Sequence, residues 1–409
     1  MTEQNKSHLS ILFMTVFLYL VGFGVMIPVL PVLSREYGAT PLQVGLLMSV
    51  YSLMQFLFSP FWGRISDRRG RRPILLICLC GEAMSYVVFV VSRSLEMLFF
   101  ARALAGFFGA SLSTASAAVS DVTTAQERSR GMALIGAAFG LGFILGPALG
   151  GGLAWWGQQI HPEDPQFGMR FAAGFVALIC LATFVFAFFK LKETKYYDAA
   201  PETKESRFHR LGRFLRRPTT GALIRSFFLN SLAMSLMEAT LILFVADRFG
   251  WGLKQVSFGF AYIGVLSALN QGFFVRKLLP KYGERKILRL GLTLMVIAFA
   301  LITISTQIWI LAVSMTFLSF GTSFTNPSLM GAISLLCAKE EQGEALGTTQ
   351  GTASLGRILG PAIGGFMYGQ VHMLSPFVGS ALIALTSLIT VITLGRLVPD
   401  SALQAKESA

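Results

Sequence analysis

Apolar stretches of about twenty residues alternate along this chain with short polar breaks. Twelve can be marked, near 10–33, 42–62, 73–92, 95–118, 130–154, 170–190, 219–246, 255–275, 287–305, 308–331, 344–369 and 375–396. Roughly 20 apolar residues in a helix cross the hydrocarbon of a bilayer. Backbone groups in hydrocarbon must bond within their own segment. Each stretch therefore predicts a transmembrane helix, here called a span. The breaks hold glycine, proline and most of the charge, and the longest covers about 191–218.

The pattern repeats itself. Ile144-Leu145-Gly146-Pro147-Ala148-Leu149-Gly150-Gly151 returns 214 residues later as Ile358-Leu359-Gly360-Pro361-Ala362-Ile363-Gly364-Gly365. Gly70-Arg71-Arg72-Pro73-Ile74-Leu75 is echoed, 213 residues on, by Gly283-Glu284-Arg285-Lys286-Ile287-Leu288. Two echoes at nearly one offset mark a duplication with six spans in each copy. Parallel repeats of helical membrane halves are a transporter architecture. The expected fold is an all-α membrane protein of two pseudo-symmetric six-helix bundles, residues 1–190 and 219–409, joined by a cytoplasmic linker loop at 191–218.

Composition agrees. Hydrophobic residues make up 54% of the chain and charged ones 13%, against about 25% charge in a soluble domain. The net charge of +13 reads as topology, not as a nucleic-acid surface. With both termini in the cytoplasm, 26 Lys and Arg lie on the inner side and 5 on the outer, the bias of a protein oriented by positive charge. The expected location is a cell membrane, the inner one in a bacterium. The first span is too long for a cleaved signal. Within the linker, Phe208 to Arg217 mixes basic and apolar residues. It is either a segment lying on the anionic inner leaflet or a solvated connection. Cys78, Cys80, Cys180 and Cys337 sit in or beside apolar runs and read as packing residues, with no metal, disulfide or cofactor implied. No His-Glu-x-x-His motif and no aspartate pair occurs in a span, so an intramembrane enzyme is not expected.

Charges inside spans are costly and mark candidate functional sites. Glu82 lies in span 3, Arg102 in span 4, Glu238 in span 7 and Arg357 in span 11. A carboxyl that is alternately exposed and neutralised is what a proton carrier needs, so Glu82 and Glu238 are proton candidates. An ion pair or a packing-face acid is the alternative for each. Arg102, Gly106, Gly109, Ser113, Ser116 and Ser120 recur at spacings of three and four, one face of a helix. Arg357 has Phe143 as its repeat counterpart, and either binds an anionic substrate group or pairs with Glu238. Softer cavity candidates are Tyr19, Gln55, Tyr86, Asn230, Asn270, Gln271 and Asn326. A chain with 36 Phe and 16 Met suits a lipophilic substrate, and lipid contact equally.

Between spans 2 and 3 runs Gly63-Arg64-Ile65-Ser66-Asp67-Arg68-Arg69-Gly70-Arg71-Arg72. This loop resembles the signature of the major facilitator superfamily, carried here by Gly63, Asp67, Arg68, Gly70, Arg71 and Arg72. The resemblance implies an acid that bonds across the halves at the start of span 11 and latches the outward-facing state. Arg102-Ala103-Leu104-Ala105-Gly106 is similar to that family's span 4 motif, whose arginine is linked to proton transfer. Gly142, Gly146, Pro147, Gly150 and Gly151 match its antiporter motif. Val21 to Pro31 resembles the span 1 signature of twelve-span drug exporters. Together these most resemble the tetracycline/proton antiporters. That group carries aspartates where this chain has Tyr19 and Ser85, which puts tetracycline itself in doubt. The resemblance implies proton-coupled export of a lipophilic or amphipathic small molecule by a monomer among membrane lipids. The alternatives are an uncoupled carrier or symporter for an anionic metabolite, and a lipid or lysolipid translocator.

Overall fold

The computed structural model describes residues 3–123, 128–194, 212–338 and 341–399. The remainder, including linker residues 195–211 and thus the Phe208 to Leu211 part of the basic-apolar stretch, lies outside the described residues. Every regular element among the described residues is helical. In chain order these are α1 (Glu3–Glu36), α2 (Pro41–Arg69), α3 (Arg71–Val91), α4 (Leu95–Gly109), α5 (Leu112–Val122), α6 (Arg128–Ile160) and α7 (Phe167–Lys190). Then follow α8 (Pro218–Phe249), α9 (Leu253–Leu269), a π turn (Asn270–Val275), α10 (Arg276–Thr303), α11 (Ile308–Leu335), α12 (Gln342–Gln370) and α13 (Ser375–Leu394).

Nine helical stretches among the described residues are long and apolar enough to cross a bilayer. One of them, Leu253–Thr303, has 51 residues, which at helical rise is about 76 Å, enough for two crossings. The glycine-rich helices α6 and α12, at 33 and 29 residues, have the length of a span. The twelve expected spans are all accounted for.

Two local details depart from the sequence pattern. Span 4 is not one helix. It runs on to Val122 and breaks after Gly109, where Ala110 and Ser111 take ψ values of −7° and −13° in place of the helical −42° or so. The polar segment 276–289 is not an open loop but continues the helix through a sharp kink at Gly283.

The duplication is written into the backbone. Gly70 has φ 96° and ψ 160°, and its echo Gly283 has φ 76° and ψ 167°. That region is essentially closed to residues with a side chain, so the two glycines make the same reversal in both copies. The second echo builds a seam in each. A Cβ on Gly146 would stand 2.8 Å from Val21 O, and one on Gly142 2.7 Å from Leu20 Cβ. In the other copy a Cβ on Gly360 would meet Ser235 Cβ at 2.7 Å and one on Gly364 Leu236 O at 2.6 Å. Glycines four apart thus let α6 lie directly on α1 and α12 on α8, the packing small residues provide where lipid gives no hydrophobic drive.

By internal packing the chain divides into two units, residues 1–201 with 251–264, and residues 202–250 with 265–409. In the first, Val25, Leu33, Leu47, Phe89 and Ala173 share a core. The start of α9 belongs here because Ser257 Oγ donates to Ala148 O (2.9 Å) and Lys254 lies over the Trp155 ring. The N–H groups of Arg71 and Arg72 donate to the Glu193 carboxylate (2.7 and 3.2 Å), and Arg72 Nη2 donates to Phe188 O (2.7 Å). The open N-terminus of α3 and the open C-terminus of α7 thereby cap each other. In the second unit, Phe214 is fully buried beside Leu223, Leu288, Ile333 and Ala345. Arg217 grips Glu341 at the start of α12 with two hydrogen bonds (2.8 and 2.9 Å). Far along the same helix pair, Tyr368 Oη donates to Asp247 Oδ2 (2.6 Å).

Those bonds from Arg217 hold the Glu341 carboxyl below its usual range. The sign follows by linkage. The pairing stabilises the fold at neutral pH and is lost as pH falls through the lowered Glu341 value. A double-mutant cycle of Arg217→Ala and Glu341→Ala is expected to show coupling in thermal melts at about pH 7 that weakens as the pH is lowered to about 3. Equal coupling at both would refute it.

Candidate transport site

The break in span 4 organises the polar interior of the first unit. Past Gly109 the helical ladder is interrupted, and its carbonyl is free to accept from elsewhere. Tyr19 Oη donates to it from α1 (3.1 Å) and Gln55 Nε2 from α2 (3.0 Å). The Tyr19 and Tyr51 hydroxyls are hydrogen-bonded to each other, and Gln55 Nε2 also reaches Tyr19 Oη (3.5 Å). Gly109 is required at the crossing, since a Cβ there would stand 2.6 Å from both hydroxyls. At Gly106 a Cβ would overlap the Tyr51 backbone. Helix α4 is thus pressed onto α2 over about one turn.

Seven residues before the break, the Arg102 guanidinium lies 4.6 Å from the Tyr51 ring centre and 5.8 Å from that of Phe23. Such stacking contributes up to about 2 kcal/mol when desolvated, which offsets part of the cost of a charge in hydrocarbon. Arg102 is 4% exposed, Glu82 1% and Tyr86 2%. Arg102 and Glu82 act on each other electrostatically without an ion pair joining them. Glu82 Oε1, Tyr86 Oη, Arg102 Nε and Arg102 Nη1 are buried with no hydrogen-bond partner. Buried polar atoms are nearly always satisfied, so four unsatisfied ones in a cluster set this group apart from ordinary packing. Ser85, by contrast, spends its hydroxyl on Gly81 O of its own helix (2.7 Å).

Four expected residues, Tyr19, Gln55, Glu82 and Arg102, are therefore gathered in one centre, and Tyr86 shares its electrostatics. Two that complete it, Phe23 and Tyr51, were not singled out from the sequence. The available signal was Tyr51 four residues before Gln55, on one face of α2.

In the second unit the candidates form separate groups. Asn230 Nδ2 donates to Asn326 Oδ1 (2.8 Å), joining α8 to α11. Asn230 is 4% exposed and its Oδ1 is unpartnered. Asn270 opens the π turn and donates to Ser319 Oγ (3.1 Å); such turns recur at functional sites. Gln271 is exposed beside it and makes no part of that bond. Arg357 Nη2 donates to Ser354 Oγ (2.9 Å), and its charge acts on Glu238. One turn along, Ser231 Oγ donates to Ala353 O (2.8 Å).

At the loop signature, Arg71 is the hub. It donates to Asp67 Oδ1 (2.7 Å), Ser66 Oγ (2.7 Å) and Asp121 Oδ2 (3.0 Å). Asp121, at the end of α5, was not anticipated. Gly63 faces Ser113, Arg68 is exposed, and Gly70 abuts Glu193. Gly142, Gly146, Pro147 and Gly150 line the seam against α1, with Pro147 packed on Gly24, while Gly151 meets Ser257.

Comparisons with known proteins give one consistent outcome. The profile of the Major Facilitator Superfamily matches residues 12–281 and 272–409. The class B tetracycline resistance protein of Escherichia coli is 31% identical over 356 residues, covering 86% of each chain. Multidrug resistance protein 2 of Bacillus subtilis (strain 168) is 28% identical over 388 residues, covering 93% of this chain and 94% of its own. The crystal structure of the human organic anion transporter MFSD10 (TETRAN) superposes with a TM-score of 0.70 at 26% identity, over 95% of this chain and 99% of that one.

The Gly109 crossing is open to a direct check. Gly109→Ala puts a methyl group where two hydroxyls meet and is expected to destabilise the protein by about 1–3 kcal/mol, the usual cost of overpacking. The readout is the melting temperature of purified protein, with Ala110→Gly as a neighbouring control. A Gly109→Ala melt equal to wild type would refute the close crossing.

Proposed function

The chain belongs to the Major Facilitator Superfamily, and on that footing we propose that it exports lipophilic or amphipathic small molecules in exchange for protons. It is a multi-pass integral membrane transporter for a small-molecule substrate, and not an enzyme. What goes beyond this is our reading. The observation that carries it is the centre around Glu82, a fully buried carboxyl with an unpartnered oxygen beside a fully buried guanidinium held on aromatic rings. A structural acid would be paired; a carrier must be able to hold and release its proton.

In this reading Glu82 takes the proton, Arg102 supports its release, and Glu238 is the second acid available. Tyr19, Gln55, Tyr86, Asn230, Asn270, Gln271, Asn326 and Arg357 contact substrate as the bundles, residues 1–190 and 219–409, alternate in access. Both termini are cytoplasmic and the protein works as a monomer surrounded by lipid. The tetracycline and multidrug resistance relatives support a drug-like substrate. Tyr19 and Ser85 stand where the tetracycline group is held to carry acids, which argues for a substrate other than tetracycline. The glycine seam Gly142, Gly146, Pro147, Gly150 and Gly151 supports the antiport direction by its likeness to the exporters' motif. Gly63, Asp67, Arg68, Gly70, Arg71 and Arg72 form the gate.

The test is made in proteoliposomes with a pH gradient, a lumenal pH dye and a panel of lipophilic cations, neutral drugs and organic anions. Substrate-dependent proton movement is expected, abolished by Glu82→Gln and retained by Ser85→Ala. Measurable substrate flux with no proton movement would overturn antiport and leave an uncoupled carrier.

The gate has its own test. Asp67→Asn removes one of the acids bonded to Arg71 and is expected to shift the accessibility of introduced single cysteines toward the inward-facing form. An unchanged labelling pattern would count against Asp67 as a latch.

A further inference from the structure

We infer that the second unit carries a recognition site for an organic anion, with Arg357 binding the acidic head and Glu238 serving as its stand-in counter-charge when no substrate is bound. This deepens the export reading above and rests on it.

The duplication provides the first argument. Across the echoed seam the two copies agree at eight of ten positions and at every glycine; Ile363 for Leu149 is conservative, but Arg357 replaces Phe143. A guanidinium in mid-helix is costly, and the other copy of the motif is built without one. The seam therefore does not need the arginine.

Placement provides the second. Arg357 and Glu238 are both half-buried, neither sealed in the core nor free at the rim. The guanidinium is oriented by Ser354 Oγ at 2.9 Å and acts electrostatically on Glu238 of α8. The other two helices of this unit packed against α8, which are α11 and α13, carry no ionisable side chain along their length. An arginine so placed needs one negative charge beside it at all times. Glu238 is an acid on which the arginine's charge acts. A substrate carboxylate, presenting two oxygens to a planar fork of donors, meets that need better.

The third argument is the neighbouring amide. Asn230 lies within one helical turn of the Ser231–Ala353 bond that anchors this stretch of α12. Its Oδ1 is buried and unpartnered while its Nδ2 is engaged by Asn326. An unused acceptor at that place selects a ligand with an O–H or N–H donor near its acidic group. The ligand class is thus an amphipathic organic monoanion with a hydrogen-bond donor beside the acid. The 26% identity to an organic anion transporter over nearly the whole chain is consistent with it.

The experiment measures binding of three matched fluorescent probes to the purified full-length protein, namely pyrenebutanoate, pyrenebutanamide and the corresponding trimethylammonium compound. Wild type is expected to bind the carboxylate about tenfold more tightly than the amide, the scale of one charge-assisted pairing. Arg357→Gln is expected to erase that preference and Arg357→Lys to keep part of it. Glu238→Gln is expected to tighten carboxylate binding and leave amide binding unchanged. Ser354→Ala, which leaves the charge in place, is expected to weaken the preference and covers the case of a poorly folded Arg357 variant. Equal affinity for carboxylate and amide, or a preference that survives Arg357→Gln, would overturn the site. Carboxylate selectivity without proton-coupled flux would leave this site standing and defeat the antiport reading alone.

Discussion

Hydrocarbon offers no hydrogen bonds and does not solvate charge, and the structure depends on how the chain meets that constraint. Every backbone amide inside the membrane has to be satisfied by its own helix or by a neighbour. The interruption after Gly109 could persist in lipid only because Tyr19 and Gln55 reach its carbonyl from two other helices. The same logic acts at the helix ends, where Glu193 caps α3 and Arg72 caps α7. A local fault in one helix becomes, through its repair, the point at which three helices are tied.

Packing follows from the same solvent. Lipid tails do not push helices together as water does, so close association rests on complementary surfaces. The glycine seams of α1 with α6 and of α8 with α12 supply them twice over. What differs between the copies is what each seam is allowed to carry. One has Phe143 where the other has Arg357, and the second seam is bracketed along its length by Arg217–Glu341 and Asp247–Tyr368. Duplication gave two equal frames, and divergence placed a carboxyl centre in one and an amide-and-arginine face in the other.

Much of this was legible in the chain. Span number, the duplication, the glycine seams and the loop signature are matters of period and spacing, which lipid enforces almost without exception. Glu82, Arg102, Glu238 and Arg357 stood out because an ionisable residue in an apolar run is costly. Phe23, Tyr51 and Asp121 did not. An aromatic in a span is usually packing, and an acid at a helix end is usually solvated. Nothing in the local sequence says that Tyr51 supports a guanidinium from another helix, or that Asp121 closes on Arg71.

The sequence by itself determined the class of solvent, the number of crossings, the repeat and the residues too costly to be accidental. All of these are one-dimensional quantities, fixed by run length, period and composition. Tertiary structure decided which of those residues share a centre. It brought Tyr19, Gln55, Glu82 and Arg102 together from four helices, kept Gln271 out of the Asn270 network, and broke span 4 where its residues alone read as continuous helix. Those outcomes turn on distances between segments far apart in the chain, and on which unsatisfied group finds a partner across a helix crossing. No local pattern encodes either one.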